Sequence, residues 1–193
     1  TNLATAAQIG STWGVAWSST TSRLFSAAVV KRHVGLGPAG IGGIYATTVT
    51  GGTPTTSLLV DATTLTNLGS VPSNAARGLP VDKTQNSADG AVFGSIGKVG
   101  IGGLALSEDE STLWFVNLNS RSLVGFPVAN PVAAQTRTTA IPQPACNRGT
   151  ARPWGIKIHD GKIYAGVACT AENADGTTAD QTDEGSALHH ALL

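Results

Sequence analysis

The chain has 193 residues with 12 basic and 12 acidic side chains, so its formal charge is zero and nothing in that balance draws a polyanion. Only 12% of residues are charged, against roughly 25% in an average soluble domain, and Gly, Ala, Thr and Ser fill the difference. A nucleic-acid partner and insertion into a membrane are both argued against: the one tight basic group is Lys31, Arg32 and His33, and the longest apolar run, Gly100 to Leu106, is far short of the roughly 20 residues that span a bilayer.

Taken in chain order, a repeat emerges. The first copy reads Trp13, Gly14, Val15, Ala16, Trp17, a polar stretch, then Arg23, Leu24, Phe25, Ser26, Ala27, Ala28. A third strand is expected at Gly43 to Thr47 and a fourth at Ser57 to Asp61. Residues 67–97 are polar and punctuated by Gly and Pro, with little apolar periodicity, so they read as an insertion, functional or disordered. The second copy runs Gly102, Gly103, Leu104, Ala105, Leu106, the turn SEDES, then Thr112, Leu113, Trp114, Phe115, Val116, Asn117. It continues through Ser122 to Phe126 and a weaker strand near Thr138 to Ile141. The third copy runs Trp154, Gly155, Ile156, Lys157, Ile158, the turn HDG, then Lys162, Ile163, Tyr164, Ala165, Gly166, Val167.

Each copy opens with a strand, a short Ser/Asp/Gly turn and a second strand, which is the signature of a β-hairpin. Aligned on Gly14, Gly103 and Gly155, copies two and three are 52 residues apart, near a propeller blade length, while copies one and two are 89 apart because of the insertion. The expected fold is therefore all-β and propeller-like, with four-stranded antiparallel blades at 13–66, 98–145 and, incomplete, 146–193. Three blades do not close a ring and leave edges to protect, so we expect a fragment of a larger propeller, completed by further blades of the same polypeptide or by neighbouring copies. Position 1 is not Met and no secretory leader follows it, which fits a mature or internal segment.

Three blocks, Lys31 to Tyr45, Lys98 to Leu123 and Arg152 to Glu172, resemble a propeller-like region of large secreted bacterial surface proteins that often carry immunoglobulin-like B-type repeats of the serine-aspartate adhesin kind. That resemblance implies an extracellular or cell-surface setting, a role in adhesion or surface structure, and no established catalytic residues. The B-type repeats themselves do not occur in this chain.

Several motifs carry a chemical and a plainer reading. Cys146 and Cys169 bracket a strand and a turn, and we read them as a disulfide; two buried thiols are the alternative, and a metal site is disfavoured because no His stands at ligand spacing. Gly35, Gly37 and Gly40 satisfy the dinucleotide fingerprint, yet Pro38 lies inside it and a strand follows where a helix is needed, so a tight inter-strand loop is expected and no cofactor. Arg32 and His33 are candidate ligand-binding residues for an acidic sugar or carboxylate, with Arg148, Arg152 and His159 as groups that would join them near the propeller axis. Glu108, Asp109 and Glu110 read as solvated acids of a hairpin turn. Asp175, Asp180 and Asp183 lie in an acidic, Gly-punctuated stretch able to offer oxygen ligands to Ca²⁺, although the fixed spacing of an EF-hand loop is missing. Trp13 and Trp154 share a repeat position and are expected to pack between blades; Trp17 and Trp114 are expected in the core.

No GxSxG motif and no placed Ser, His and Asp set appears. The expected function is a non-enzymatic extracellular segment serving adhesion, surface coating or filament-like assembly. The alternative is a glycan-active hydrolase or lyase whose site is completed by blades outside this chain.

Overall fold

A computed structural model describes residues 2–82, 84–146, 149–170 and, for the backbone alone, 188–192. The described strands form three antiparallel sheets in chain order. The first is β1 (Thr12–Ser18), β2 (Arg23–Ala28), β3 (Gly43–Thr50) and β4 (Thr53–Asp61); the second is β5 (Ile101–Leu106), β6 (Thr112–Asn117), β7 (Ser122–Pro127) and β8 (Arg137–Ala140). The third holds β9 (Ala151–His159), β10 (Lys162–Cys169) and β11 (Leu188–Leu192). Each strand pairs with its neighbour in sequence, and the leading strands β1, β5 and β9 lie side by side, so the sheets stack as three blades around an axis. The propeller-like, all-β expectation holds, and the ring is open.

Period-2 alternation explains how the blades bury their faces. Along the β1–β2–β3 register, Ala16, Phe25, Ala27, Ile44 and Ala46 point to one side and meet Leu104, Leu113, Phe115, Val124 and Phe126 of blade 2. The opposite face of blade 2 sets Trp114, Val116 and Leu123 against Ile156, Ile163, Ala165 and Val167 of blade 3. Phe115 and Phe126 touch with centroids 6.3 Å apart, adding a tilted aromatic contact at the first interface.

The fourth strand of blade 1 begins at Thr53, earlier than Ser57, because Gly51 and Gly52 both take positive φ (57° and 80°) and close a two-residue hairpin that lengthens the pairing. The insertion is ordered where it is described. Leu68 and Val92 are fully buried in the blade 1–blade 2 core, and a 3₁₀ turn covers Gly90–Ser95. Its entry is tied to blade 2 by Asn117, which is buried, donates to the Asn67 carbonyl at 3.0 Å and accepts from the Asn119 and Ser120 N–H groups.

One aromatic expectation needs correction: Trp17 is 58% exposed, on the side of β1 that no described blade covers. Trp13, although 59% exposed, meets the Trp154 ring edge-on with centroids 5.8 Å apart, so the expected packing of this pair between blades holds. Trp114 is half-buried between blades 2 and 3, as expected of a packing residue.

Candidate functional site

Among the described residues, two groups of charged side chains make the contacts between blades, turns and insertion, at opposite ends of the blades. At the end where β2 leaves its sheet, the loop of residues 29–42 is clasped by the insertion. Arg77 is the centre of that clasp: Nε donates to Asp89 Oδ1 at 3.0 Å and Nη2 to Asp89 Oδ2 at 2.7 Å. Both side chains have no exposed surface. Nη2 of Arg77 also donates to the carbonyls of Lys31 (2.8 Å) and Val34 (3.1 Å), and Asp89 Oδ2 accepts the His33 N–H at 2.6 Å. The Arg77 hydrogen bonds hold the Asp89 carboxyl below its ordinary range against the opposing effect of burial, with the His33 N–H assisting. Asp89 and His33 both sit at positive φ (42° and 64°), so each pays local backbone strain to reach this arrangement.

Arg32 and His33 are engaged by the same segment. Arg32 donates to the Ala88 carbonyl at 2.8 Å and lies over the Phe93 ring, 5.4 Å from its centroid, while His33 Nδ1 is 2.8 Å from the Ser87 hydroxyl. The two candidate residues thus anchor the insertion. Beside them a groove between the β2–β3 loop and the insertion is lined by Leu36, Gly37, Ile41, Val71, Pro72 and Asn74, among others, with no titratable side chain. Gly37 belongs here for a steric reason: a Cβ would come within 2.7 Å of the Tyr45 hydroxyl and 2.6 Å of the Ile9 backbone. The glycine fingerprint is an inter-strand loop followed by β3, as the sequence indicates.

The other end of the blades is organised by the β5–β6 turn. Glu110 reaches back to the blade 1 turn, accepting the Ser18 hydroxyl at 2.7 Å, the Ser19 hydroxyl at 2.7 Å, and the Ser19 and Thr20 N–H groups at 2.8 and 3.0 Å. Glu108 reaches forward to the blade 3 turn, accepting the Asp160 and Gly161 N–H groups at 2.6 and 3.0 Å. Asp109, between them, accepts from Ser107 and Ser111 and orders its own turn. All three acids lie in the hairpin turn as expected, and Glu108 and Asp109 are exposed; beyond that expectation, the carboxylates of Glu108 and Glu110 strap blade 2 to both neighbours. The Ser19 and Ser18 hydroxyls, aided by backbone N–H groups, hold the Glu110 carboxyl down to about 2.

A folded-state value that low makes the strap acid-sensitive. The stability it contributes is complete above the ordinary Glu range and is lost as pH falls from about 4.5 towards about 2. In a titration followed by tryptophan fluorescence, the wild type is expected to lose inter-blade stability across that window. Glu110→Gln should remove this component and flatten the profile there; an unchanged acid profile would show that the strap contributes nothing.

Arg32, His33, Arg152 and His159 do not form one cluster. Arg152 starts β9 and His159 ends it, and the register that sets Ala151 opposite Cys169 and His159 opposite Lys162 places them at opposite ends of blade 3. His159 lies on the Glu110 side with Asp160 (Nε2 to Oδ2 3.6 Å), where the donor atoms of Glu108, His159 and Asp160 fall within 4.8 Å, all three residues exposed. Arg148 and the acidic residues Asp175, Asp180 and Asp183 lie outside the described residues. Cys146 and Cys169 are bonded, with Cα atoms 5.6 Å apart, so the disulfide expectation is met. Sequence reasoning passed over Arg77 and Asp89, which share the insertion with Asp82 and Lys83, and nothing in the sequence singles out this Arg and Asp as the pair that is buried.

No protein-family model matches the chain. Colossin-D of Dictyostelium discoideum is 26% identical over 173 residues, which is 89% of this chain and 18% of that protein. Among solved structures, a luciferin-regenerating enzyme is similar over 94% of this chain and 44% of its own, with 11% identity and a TM-score of 0.47. A chain of a nidogen–laminin complex is similar over 89% of this chain and 63% of its own, with 15% identity and a TM-score of 0.34. The chain therefore spans less than two thirds of each of these proteins.

Proposed function

We propose that this chain is a non-enzymatic propeller segment of a large extracellular surface protein, serving adhesion, surface coating or assembly. The observation that carries the reading is the Cys146–Cys169 bridge, because disulfides persist in oxidising compartments such as the cell exterior. The use of charge supports it. Arg77, Asp89, Glu108 and Glu110 are all engaged in holding blades and insertion together, as a scaffold requires. The faces of blades 1 and 3 that no described blade covers supply surfaces for protein partners: further blades of the same polypeptide, neighbouring copies or a surface ligand. The resemblance to bacterial surface proteins agrees with the extracellular setting, while the relative found by comparison is from an amoeba.

Thiol titration of the protein recovered from a secreting host tests this directly. No reactive thiol is expected in denaturant before reduction, and two after it. Free thiols in the protein as its natural source makes it would remove the basis for an extracellular role. A parallel screen for glycan and ester turnover is expected to give background rates, and turnover abolished by Arg32→Ala or His33→Ala would replace the scaffold reading with an enzyme.

A further inference from the structure

The outer strand of blade 1 is built unlike that of blade 2. Among the described residues β4 pairs only with β3, so one side of its backbone has no strand beside it. An open row of N–H and C=O groups invites pairing with another chain, and sheet edges are normally blunted by short length, charged side chains or proline. β8, the outer strand of blade 2, is four residues long and opens on Arg137. β4 is nine residues long, and residues 34–60 contain no Asp, Glu, Lys or Arg. Leu58 of β4 and Val49 of β3 are both half exposed. Of the usual devices β4 has Pro54, which lacks an N–H, and the terminal Asp61.

What β4 carries instead is hydroxyl. Thr53, Thr55 and Ser57 are spaced two apart and share one face of the strand, and the register sets Thr53 opposite Thr50 across the Gly51–Gly52 turn. All four residues are exposed, and none of their hydroxyls has a hydrogen-bond partner among the described residues. Thr56, on the other face, contrasts with them: it shares a hydrogen bond with the Thr47 hydroxyl at 2.8 Å and donates to the Leu3 carbonyl at 3.3 Å. The fold uses Thr56 and leaves the other four hydroxyls to solvent.

We propose that Thr50, Thr53, Thr55 and Ser57 are acceptors for O-linked sugar, which covers the β4 edge. Ser/Thr-rich segments with Pro are the composition that carries such sugars, and β4 presents its own as extended backbone open on one side. In the transfer, a Thr or Ser hydroxyl oxygen bonds to the anomeric carbon of a sugar held on a nucleotide or lipid phosphate. The bond from that carbon to the phosphate oxygen breaks, the phosphate leaves with the electron pair, and the hydroxyl proton passes to a base of the transferase. An added peptide strand would meet the missing N–H of Pro54, whereas a sugar on the side chains needs no ladder. N-linked sugar has no acceptor here, since Asn-x-Ser/Thr does not occur in the chain. The inference rests on the extracellular reading, because a chain passing along a secretory route meets transferases and activated sugars.

Peptide mapping of the protein as its natural source makes it tests the assignment. No Lys or Arg lies between Arg32 and Arg77, so trypsin releases one peptide, His33 to Arg77, that holds all four residues. Its mass is expected to exceed that of the bare peptide by whole sugar residues, and electron-transfer fragmentation should place them on Thr50, Thr53, Thr55 or Ser57. Stripping the sugars with glycosidases should lower the concentration at which aggregates form by about tenfold. A bare peptide, or sugar confined to other residues, would overturn the assignment, and aggregation indifferent to stripping would overturn the edge cover. A bare peptide alongside an intact Cys146–Cys169 bridge would overturn this inference alone, whereas free thiols would remove the extracellular reading beneath it.

Discussion

Replacing Arg77 by Ala is expected to cost about 3–5 kcal/mol, the loss typical of a buried ion pair stripped of one partner. The Asp89 carboxylate would stay buried, with the guanidinium that donated two hydrogen bonds to it gone. The Lys31 and Val34 carbonyls would lose a donor at the same time, so the insertion and the β2–β3 loop would come apart together. For a chain of this size each kcal/mol moves the melting temperature by about 2–4 °C, and a fall of roughly 6–20 °C is expected in a thermal melt. Arg77→Lys should recover little, because one ammonium cannot reproduce a forked contact with Asp89 while serving two carbonyls. Replacing both Arg77 and Asp89 by apolar residues should cost less than either Ala variant, since no charge is then left unpaired. Single variants that each lose under about 1 kcal/mol would show the clasp to be peripheral.

Opening the Cys146–Cys169 bridge is expected to have the next largest effect. The two residues are separated by 23 positions, and closing a loop of that length removes about 3 kcal/mol of chain entropy from the unfolded state. Cys169 ends β10, and Cys146 packs with Val116, Leu123 and Val167 between blades 2 and 3, so reduction also loosens an interface. A drop of roughly 6–12 °C in melting temperature on adding a thiol reductant, reproduced by Cys146→Ser with Cys169→Ser, is the expected result. Equal melting with and without reductant would mean that the bridge constrains nothing the fold needs.

Most of the blade architecture was legible because it rests on local patterning. Short apolar runs at Trp13 to Trp17, Thr112 to Asn117 and Lys162 to Val167, bounded by polar turns and repeated along the chain, are a local signal of strands. The short fourth strand of blade 2, Arg137–Ala140, was weaker, since all four residues are exposed and leave no buried face in the pattern. What the pattern could not reveal were contacts between distant charges. Glu110 and Ser18 are 92 residues apart, and a Glu in the turn SEDES looks the same whether water or a neighbouring blade solvates it. Arg77 and Asp89 lay in a segment without apolar periodicity, where a buried ion pair leaves no periodic trace. Trp17 misled for a different reason: its equivalent in blade 2, Leu106, is partly buried against the core shared with blade 1, whereas no described blade lies on that side of Trp17.

The β5–β6 turn gives the molecule a mechanical centre. One five-residue bend, Ser107 to Ser111, holds the blade 1 turn with one carboxylate and the blade 3 turn with another. In a stack of repeats, stability is shared between each unit and its contacts with the next, and arrays peel from whichever end is weaker. Here both end units are pinned to the same bend in the middle one, so fraying at either side is resisted from the centre. A pull on blade 1 or blade 3 is passed to a single link in blade 2, which acts as the keystone of the open arc.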